Sequence, residues 1–505
     1  MLFRNLRHPH AAREHSLRTW EARVLRRLLD SPWTYFALAA LIALGGIASM
    51  FRIRGPARPA GTVEQDLAKL RERDDVNVVF VLVDTLRADR LSSYGYERPT
   101  SPVMDRMADS GVRFARAQSQ SSWTKCSMAS LLTGLFPQRS GVTRFDHGLP
   151  ASATLPAEIF KQAGYTTAGL WRNGWIAPNF GFGQGFDIYL RPTPRADVGH
   201  VERKGRADAQ LAGTDEDVTL NALEFMRNNR DGKFLLYLHY MDLHQYVYDD
   251  EAAELPFGTS ISDVYDRSIH WTDRNIGALI ATLDELDLSK RTILVITADH
   301  GEAFGEHGAE GHARDLHQEV VHVPMILSLP FRVDGGLVVD PLVRNVDVFP
   351  TLLDLLGLPA LPDADGVSLV PVMHAAARGE PFETPPSHAY IDQVWGQIEQ
   401  EPRPLVGIQR DTQRVLYSQR KPDESLQVFD LATDPGEHKN LRATPPAWAG
   451  ELRPQLDASF AGKSPWGEVD KVELDEMELN QLRALGYVVG AGQVGVEKAR
   501  ELDKK

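Results

Sequence analysis

Cysteine is almost absent from this 505-residue chain: Cys126 stands alone, so no disulfide framework can hold the fold together. No internal repeat and no low-complexity block is evident, which argues against solenoids and fibrous assemblies. A basic stripe is missing too. Residues 1–32 carry seven Arg and three acids, so of the net −14 the rest of the chain holds −18. An acidic body of that kind argues against nucleic-acid binding. The whole chain is 43% hydrophobic and 25% charged, with 40 Gly and 31 Pro. That is the composition of a large globular protein, not of a disordered or collagen-like chain, and its length permits two or three folding units or one large α/β domain.

From Ser31 to Phe51 there is no charged residue, and WTYFALAALIALGGIASMF (33–51) is long enough to cross a bilayer core. The run predicts one transmembrane helix; a cleaved signal peptide and a buried soluble helix are the alternatives. The Arg-rich segment 1–32 favours a cytoplasmic N-terminus, although Arg52, Arg54 and Arg58 beyond the span blunt that bias. Residues 52–75 then read as a stalk, and everything after them as periplasmic or extracellular, a single-pass membrane arrangement.

Beyond the stalk, VNVVFVLVD (76–84), KFLLYLHYMD (233–242) and TILVITADHGE (292–302) are apolar, β-branched runs that stop at acids, the pattern of parallel strands buried on both faces. Ile276, Leu279, Ile280, Leu283 and Leu286 recur at helical spacing before the third run. The alternation predicts a doubly wound α/β sheet over 76–375, with PMILSLP (324–330) as another strand and VFPTLLDLLGLP (348–359) as a helix. A smaller antiparallel sheet is expected within 376–460, and a docking helix and charged tail over 461–505. In such sheets ligands bind at the carboxyl ends of the strands, where Asp84, Asp242, Asp299 and His300 stand.

Asp299 and His300 offer a hard carboxylate oxygen beside an imidazole nitrogen, a pairing suited to a divalent cation. Asp84 is the natural third ligand, with a helix cap or loop anchor the plain alternative for any one of these acids. In SSWTKCSMASLLTG (121–134), Thr124 precedes an apolar helical run closed by Gly, where free N–H groups can face an anion. The plain alternative is a helix cap. Beside a cation, the Thr124 hydroxyl becomes accessible as a nucleophile.

These stretches, together with VLVDTLRADRLSSYGY (81–96), GFGQGFD (181–187), YLHYMDLH (237–244), VHVPMIL (321–327) and VFDLATDPGEHKNL (428–441), resemble, in order, the sulfatase family of the alkaline phosphatase superfamily. The resemblance implies an alkaline-phosphatase-like mixed sheet, one divalent metal ion (Zn, Mn, Ca or Mg) and an anionic ester substrate on a glycan or lipid. Family members carry Cys or Ser, oxidised to formylglycine, at the head of a CxPSRxxLLTG motif. Counted back from LLTG, the head position here is Thr124. Reading Cys126 as the precursor leaves the spacing two residues short. The family's paired Asp is Asp84 followed by Thr85, one carboxylate fewer.

The resemblance further implies a metal set of Asp84, Thr124, Asp299 and His300. It puts His244 beside the ester oxygens or leaving group, and His312 and Asn173 against the nonbridging oxygens, with Arg314 and His317 as competitors of His312. His307 and His322 are read as structural. The expected activity is a sulfatase-like hydrolase of sulfate or phosphate esters with catalytic Thr124, His244 and His312. A phosphoethanolamine- or phosphoglycerol-type transferase and a catalytically silent binding module are the rivals.

Overall fold

The computed structural model describes Ser31 and residues 61–195, 201–203, 213–397, 400–460 and 462–473. The chain divides at Ala57/Arg58, and apart from Ser31 all described residues belong to the second unit. The expected membrane span 33–51 and the docking helix near 477–488 lie outside the described residues. Among the described residues no helix is long and apolar enough to cross a membrane.

The main sheet has eight strands: β1 Asn77–Val83, β2 Val112–Gln118, β3 Thr166–Leu170, β4 Ile188–Leu190, β5 Phe234–Tyr240, β6 Thr292–Thr297, β7 His322–Ser328 and β8 Leu337–Arg344. Their order is β8-β2-β7-β6-β1-β5-β3-β4. Strand β1 pairs in parallel with both β5 and β6, in the registers Val79↔Leu236 and Val79↔Leu294. Strand β7 runs antiparallel to its neighbours β6 and β2, so the sheet is mixed. Every residue of β1, β5 and β6 is buried, which is why these runs show no polar alternation.

Four helices bear on the site: α1 Thr124–Thr133, α2 Asp215–Asn228, α3 Ile261–Glu285 and α4 Val348–Leu355. Helix α4 covers the sheet, with Phe349 stacked on Phe80 of β1 at 5.1 Å between ring centroids. Helix α3 is longer than the apolar spacing over 276–286 suggests. It begins at a capping box, in which the Ser260 hydroxyl accepts from Asp263 N–H (3.2 Å) and the Asp263 carboxylate accepts from Ser260 N–H (2.8 Å). Its first turns bury Tyr265, Asp266 and Asp273, and these polar inner-face residues hide the helical period from a hydrophobicity reading.

The smaller sheet consists of β9 Ser387–Asp392, β10 Pro404–Arg410, β11 Gln413–Ser418 and β12 Gln427–Asp430. All three pairings are antiparallel and follow chain order.

Candidate active site

The parallel pairing of β1 with β6 puts the residues just past their carboxyl ends side by side. Asp84 follows β1, and Asp299 and His300 follow β6; all three are fully buried. Thr124 is the first residue of α1. Its hydroxyl lies 3.1 Å from His300 Nε2. Asn173 closes the circuit: its Nδ2 donates to Asp84 Oδ2 (2.7 Å) and lies 3.4 Å from Thr124 Oγ1. Asn173 Oδ1 accepts from Trp175 N–H (2.9 Å), which orients the amide. The structure thus brings Asp84, Thr124, Asn173, Asp299 and His300 together. The amide of Asn173, expected against substrate oxygens, is engaged with the Asp84 carboxylate.

His239 is a site residue that the sequence reading passes over. It lies within β5, fully buried, with Nε2 3.1 Å from Asp84 Oδ2 and Nδ1 2.8 Å from the Tyr237 hydroxyl. The available signal was a lone imidazole inside the apolar run KFLLYLHYMD. Asp84, His239 and Asp299 each present a ligand atom within 4.8 Å of the others.

Two carboxylates this close and this deep cannot both hold a charge unaided. Burial pushes Asp84 up, but the imidazoles of His244, His239 and His300 overcome it and hold that carboxyl well below its ordinary range. Burial and the neighbouring Asp84 charge push Asp299 up to about 7. Asp84 Oδ1 and Asp299 Oδ2 are buried with no hydrogen-bond partner, which is rare for buried oxygens. Two such oxygens beside an imidazole nitrogen and a hydroxyl fit a divalent cation.

His244 and His312 adjoin this group. Their rings lie 4.9 Å apart, and the His312 ring lies 4.5 Å from that of His300. Both are only partly buried, in contrast to the donors. His312 Nδ1 is 3.2 Å from the Glu302 carboxylate. His317 does not compete for that place: it stacks on His307 at 3.8 Å and contacts Gln427 of the smaller sheet. His307 bridges Glu319 (2.7 Å) and the Glu437 carbonyl (3.2 Å), and His322 contacts the Ala115 carbonyl (3.1 Å).

Cys126, two residues along α1 from Thr124, is buried in the core, and burial raises its thiol to about 12. Between them, Lys125 is also buried, its Nζ held by the Phe145 and His147 carbonyls and 3.1 Å from the centroid of the Phe180 ring. Burial pushes that amine well below its ordinary range. In the DHGE turn after β6, Gly301 is required by close approach: a Cβ there would meet the Glu319 carbonyl oxygen at 2.2 Å.

A mixed α/β sheet whose strand ends gather carboxylates, imidazoles and a helix-borne hydroxyl has the makings of an ester hydrolase. The chain belongs to the sulfatase family, whose model matches residues 76–358. A second model, N-sulphoglucosamine sulphohydrolase, C-terminal, matches 305–459. The chain is similar to the N-acetylgalactosamine-6-sulfatase of Rattus norvegicus, with 27% identity covering 73% of this chain and 82% of the relative. Among solved structures it is similar to a 2-O GAG sulfatase at a TM-score of 0.62, with 17% identity, covering 85% of this chain and 100% of the other. It is also similar to the phosphonate monoester hydrolase of Agrobacterium radiobacter, at a TM-score of 0.59 and 18% identity, covering 76% of this chain and 96% of that one.

Proposed function

We propose that this sulfatase-family hydrolase cleaves sulfate or phosphate esters of a glycan or lipid through the Thr124 hydroxyl, and that the run 33–51 anchors it in a membrane with the catalytic domain outside the cytoplasm. The observation that carries the reading is the 3.1 Å approach of Thr124 Oγ1 to His300 Nε2, beside two buried carboxylate oxygens that lack partners.

Asp84, Asp299, His300 and Thr124, with His239 as a further candidate, are the residues that would hold a divalent cation. When bound, such an ion would lower the proton affinity of a ligating hydroxyl and neutralise charge on the ester oxygens. Thr124 Oγ1, its proton released to solvent, attacks the sulfur or phosphorus in line, and the bond from that centre to the leaving oxygen breaks. Asn173 holds Asp84 and the attacking oxygen in register through its single amide nitrogen. His244 gives a proton to the departing oxygen, and His312 faces the nonbridging oxygens with Nδ1 turned to Glu302. Water then cleaves the ester formed on Thr124; a lipid or glycan hydroxyl in its place would make the enzyme a transferase. Threonine cannot be converted to formylglycine, and this favours keeping the phosphate and transferase readings beside the sulfate one.

The test is turnover of aryl sulfate, phosphomonoester, phosphodiester and phosphonate substrates before and after chelation, with metal content measured alongside. The reading expects chelator-sensitive turnover of at least one ester. No turnover and no bound metal would favour the silent module, and formylglycine at Cys126 would overturn the Thr124 assignment. A periplasmic reporter fused after residue 60 should be active; an inactive one would reject the exported orientation.

A further inference from the structure

The turn that leaves β1 holds a backbone conformation that its residue disfavours. Thr85 has φ +64°, in the left-handed region where a β-branched side chain is an outlier. Such strain persists only where the surroundings over-determine it. Here the determining group is the phenol of Tyr265, carried by α3. Its O–H donates to the Thr85 carbonyl at 2.6 Å and accepts the Arg87 N–H at 3.0 Å. One side-chain oxygen therefore clasps the turn at two backbone groups, two residues apart.

The strained pose has a local result. It directs the Thr85 N–H at Asp299 Oδ1 (3.3 Å), which also accepts the His300 N–H (3.0 Å). The carboxylate is thereby held with its other oxygen, Oδ2, left without a hydrogen bond. The end of β1 is thus tied to the end of β6 across the place where Asp84 and Asp299 meet. Arg87 adds a second tie, with Nη1 donating to the Glu302 carbonyl at 2.8 Å. Tyr265 is fully buried and packs edge-on against Phe304 at 5.1 Å. Water has no easy route to replace its hydroxyl.

We propose that Tyr265 is a positioning residue for the cation site: its phenol keeps Thr85 left-handed and thereby sets Asp84 and Asp299 at the separation a shared ion needs. The inference rests on the donor-set reading given under the proposed function.

The test uses the full-length enzyme, stripped of metal and titrated by equilibrium dialysis with Mn²⁺ and, in parallel, Ca²⁺. Tyr265→Phe should weaken binding by roughly 10–100-fold, the usual effect of losing a group that orients a ligand. Thr85→Gly alone should bind about as well as wild type, because glycine adopts positive φ without strain. In the Thr85→Gly background, Tyr265→Phe should lose most of its effect. Thr85→Ala, which removes the hydroxyl but keeps the strain, should give no such rescue. Thermal unfolding of the metal-free proteins separates a general loss of fold from a loss confined to the site. Wild-type binding with an unimpaired Tyr265→Phe variant would overturn the inference while sparing the donor set, and so would an undiminished penalty in the glycine background. Failure of the wild-type protein to bind either ion would instead remove the donor set itself, and the inference with it.

Discussion

Three neighbouring strands, β6, β1 and β5, each lead at the same edge of the sheet to an acid that is wholly buried: Asp299, Asp84 and Asp242. Two of these ends and the third have opposite fates. Asp242 accepts from the Arg172 guanidinium, from the Asp215 N–H (2.7 Å) and from Trp271 Nε1 (2.8 Å). Asp215, the first residue of α2, completes the cluster by accepting from Arg172 (2.9 Å) and from the Met241 and Asp242 N–H groups. Asp84 and Asp299 face each other instead, each with one oxygen unpartnered. Equal depth and equivalent strand position therefore do not define a site. A buried acid with a full set of donors is architecture, whereas a pair with open oxygens and no cation of its own calls for a ligand.

The largest effect expected from breaking this contrast is at the hydroxyl beside the open pair. Thr124→Ala should lower turnover by about 10⁴-fold or more, the scale seen when a nucleophile is removed. Cys126→Ser, in the same helix but facing the core, should leave turnover close to wild type; steady-state kinetics on the best ester substrate decides. Next come the acids themselves. Asp242→Asn breaks a buried ion-pair cluster and should cost about 3–5 kcal/mol in denaturant unfolding, with metal content per folded molecule unchanged. Asp84→Asn should act on the site instead: metal and turnover are lost, as read by metal content per folded molecule and steady-state kinetics.

The smallest effect concerns a polar group that is unpartnered and far from any donor set. Neither ring nitrogen of His388 in β9 has a hydrogen bond, and burial, with Arg344 nearby, lowers it from 6.5 to about 4. The unfolded chain therefore binds more protons than the native one between about pH 6.5 and 4, and stability falls as pH falls through that window. His388→Leu should flatten this part of the acid limb in a pH series of thermal melts. An unchanged slope would show that the orphaned imidazole carries none of it.

Much of this candidate site could be read from the sequence because its acids follow long apolar strands. A run such as VNVVFVLVD announces both the strand and the acid at its end. Thr124 could be placed because LLTG fixes the count along α1. His239 was not legible in the same way: it sits inside a strand, where burial pattern alone cannot distinguish a packed imidazole from one that reaches Asp84. Asp242 stood out for the right reason, its place at a strand end, but its donors, Arg172, Trp271 and the Asp215 N–H, arrive from other elements. The reversal of β7 was equally hidden, since strand direction leaves no mark on PMILSLP. The strain at Thr85 is a property of φ, and nothing in its residue type foretells it.

That reversal of β7 shapes what this scaffold can become. Because β6 ends and β7 begins at one rim, the connection from Ala298 to Val321 leaves and re-enters the sheet at the end where Asp84 lies, carrying His300, Glu302 and His312 without a return journey to the far side of the sheet. A parallel neighbour would have required that journey. The exposed stretch 305–310 of the connection can thus be lengthened or shortened at this rim while the buried residues on either side of it and the strands beneath keep their places.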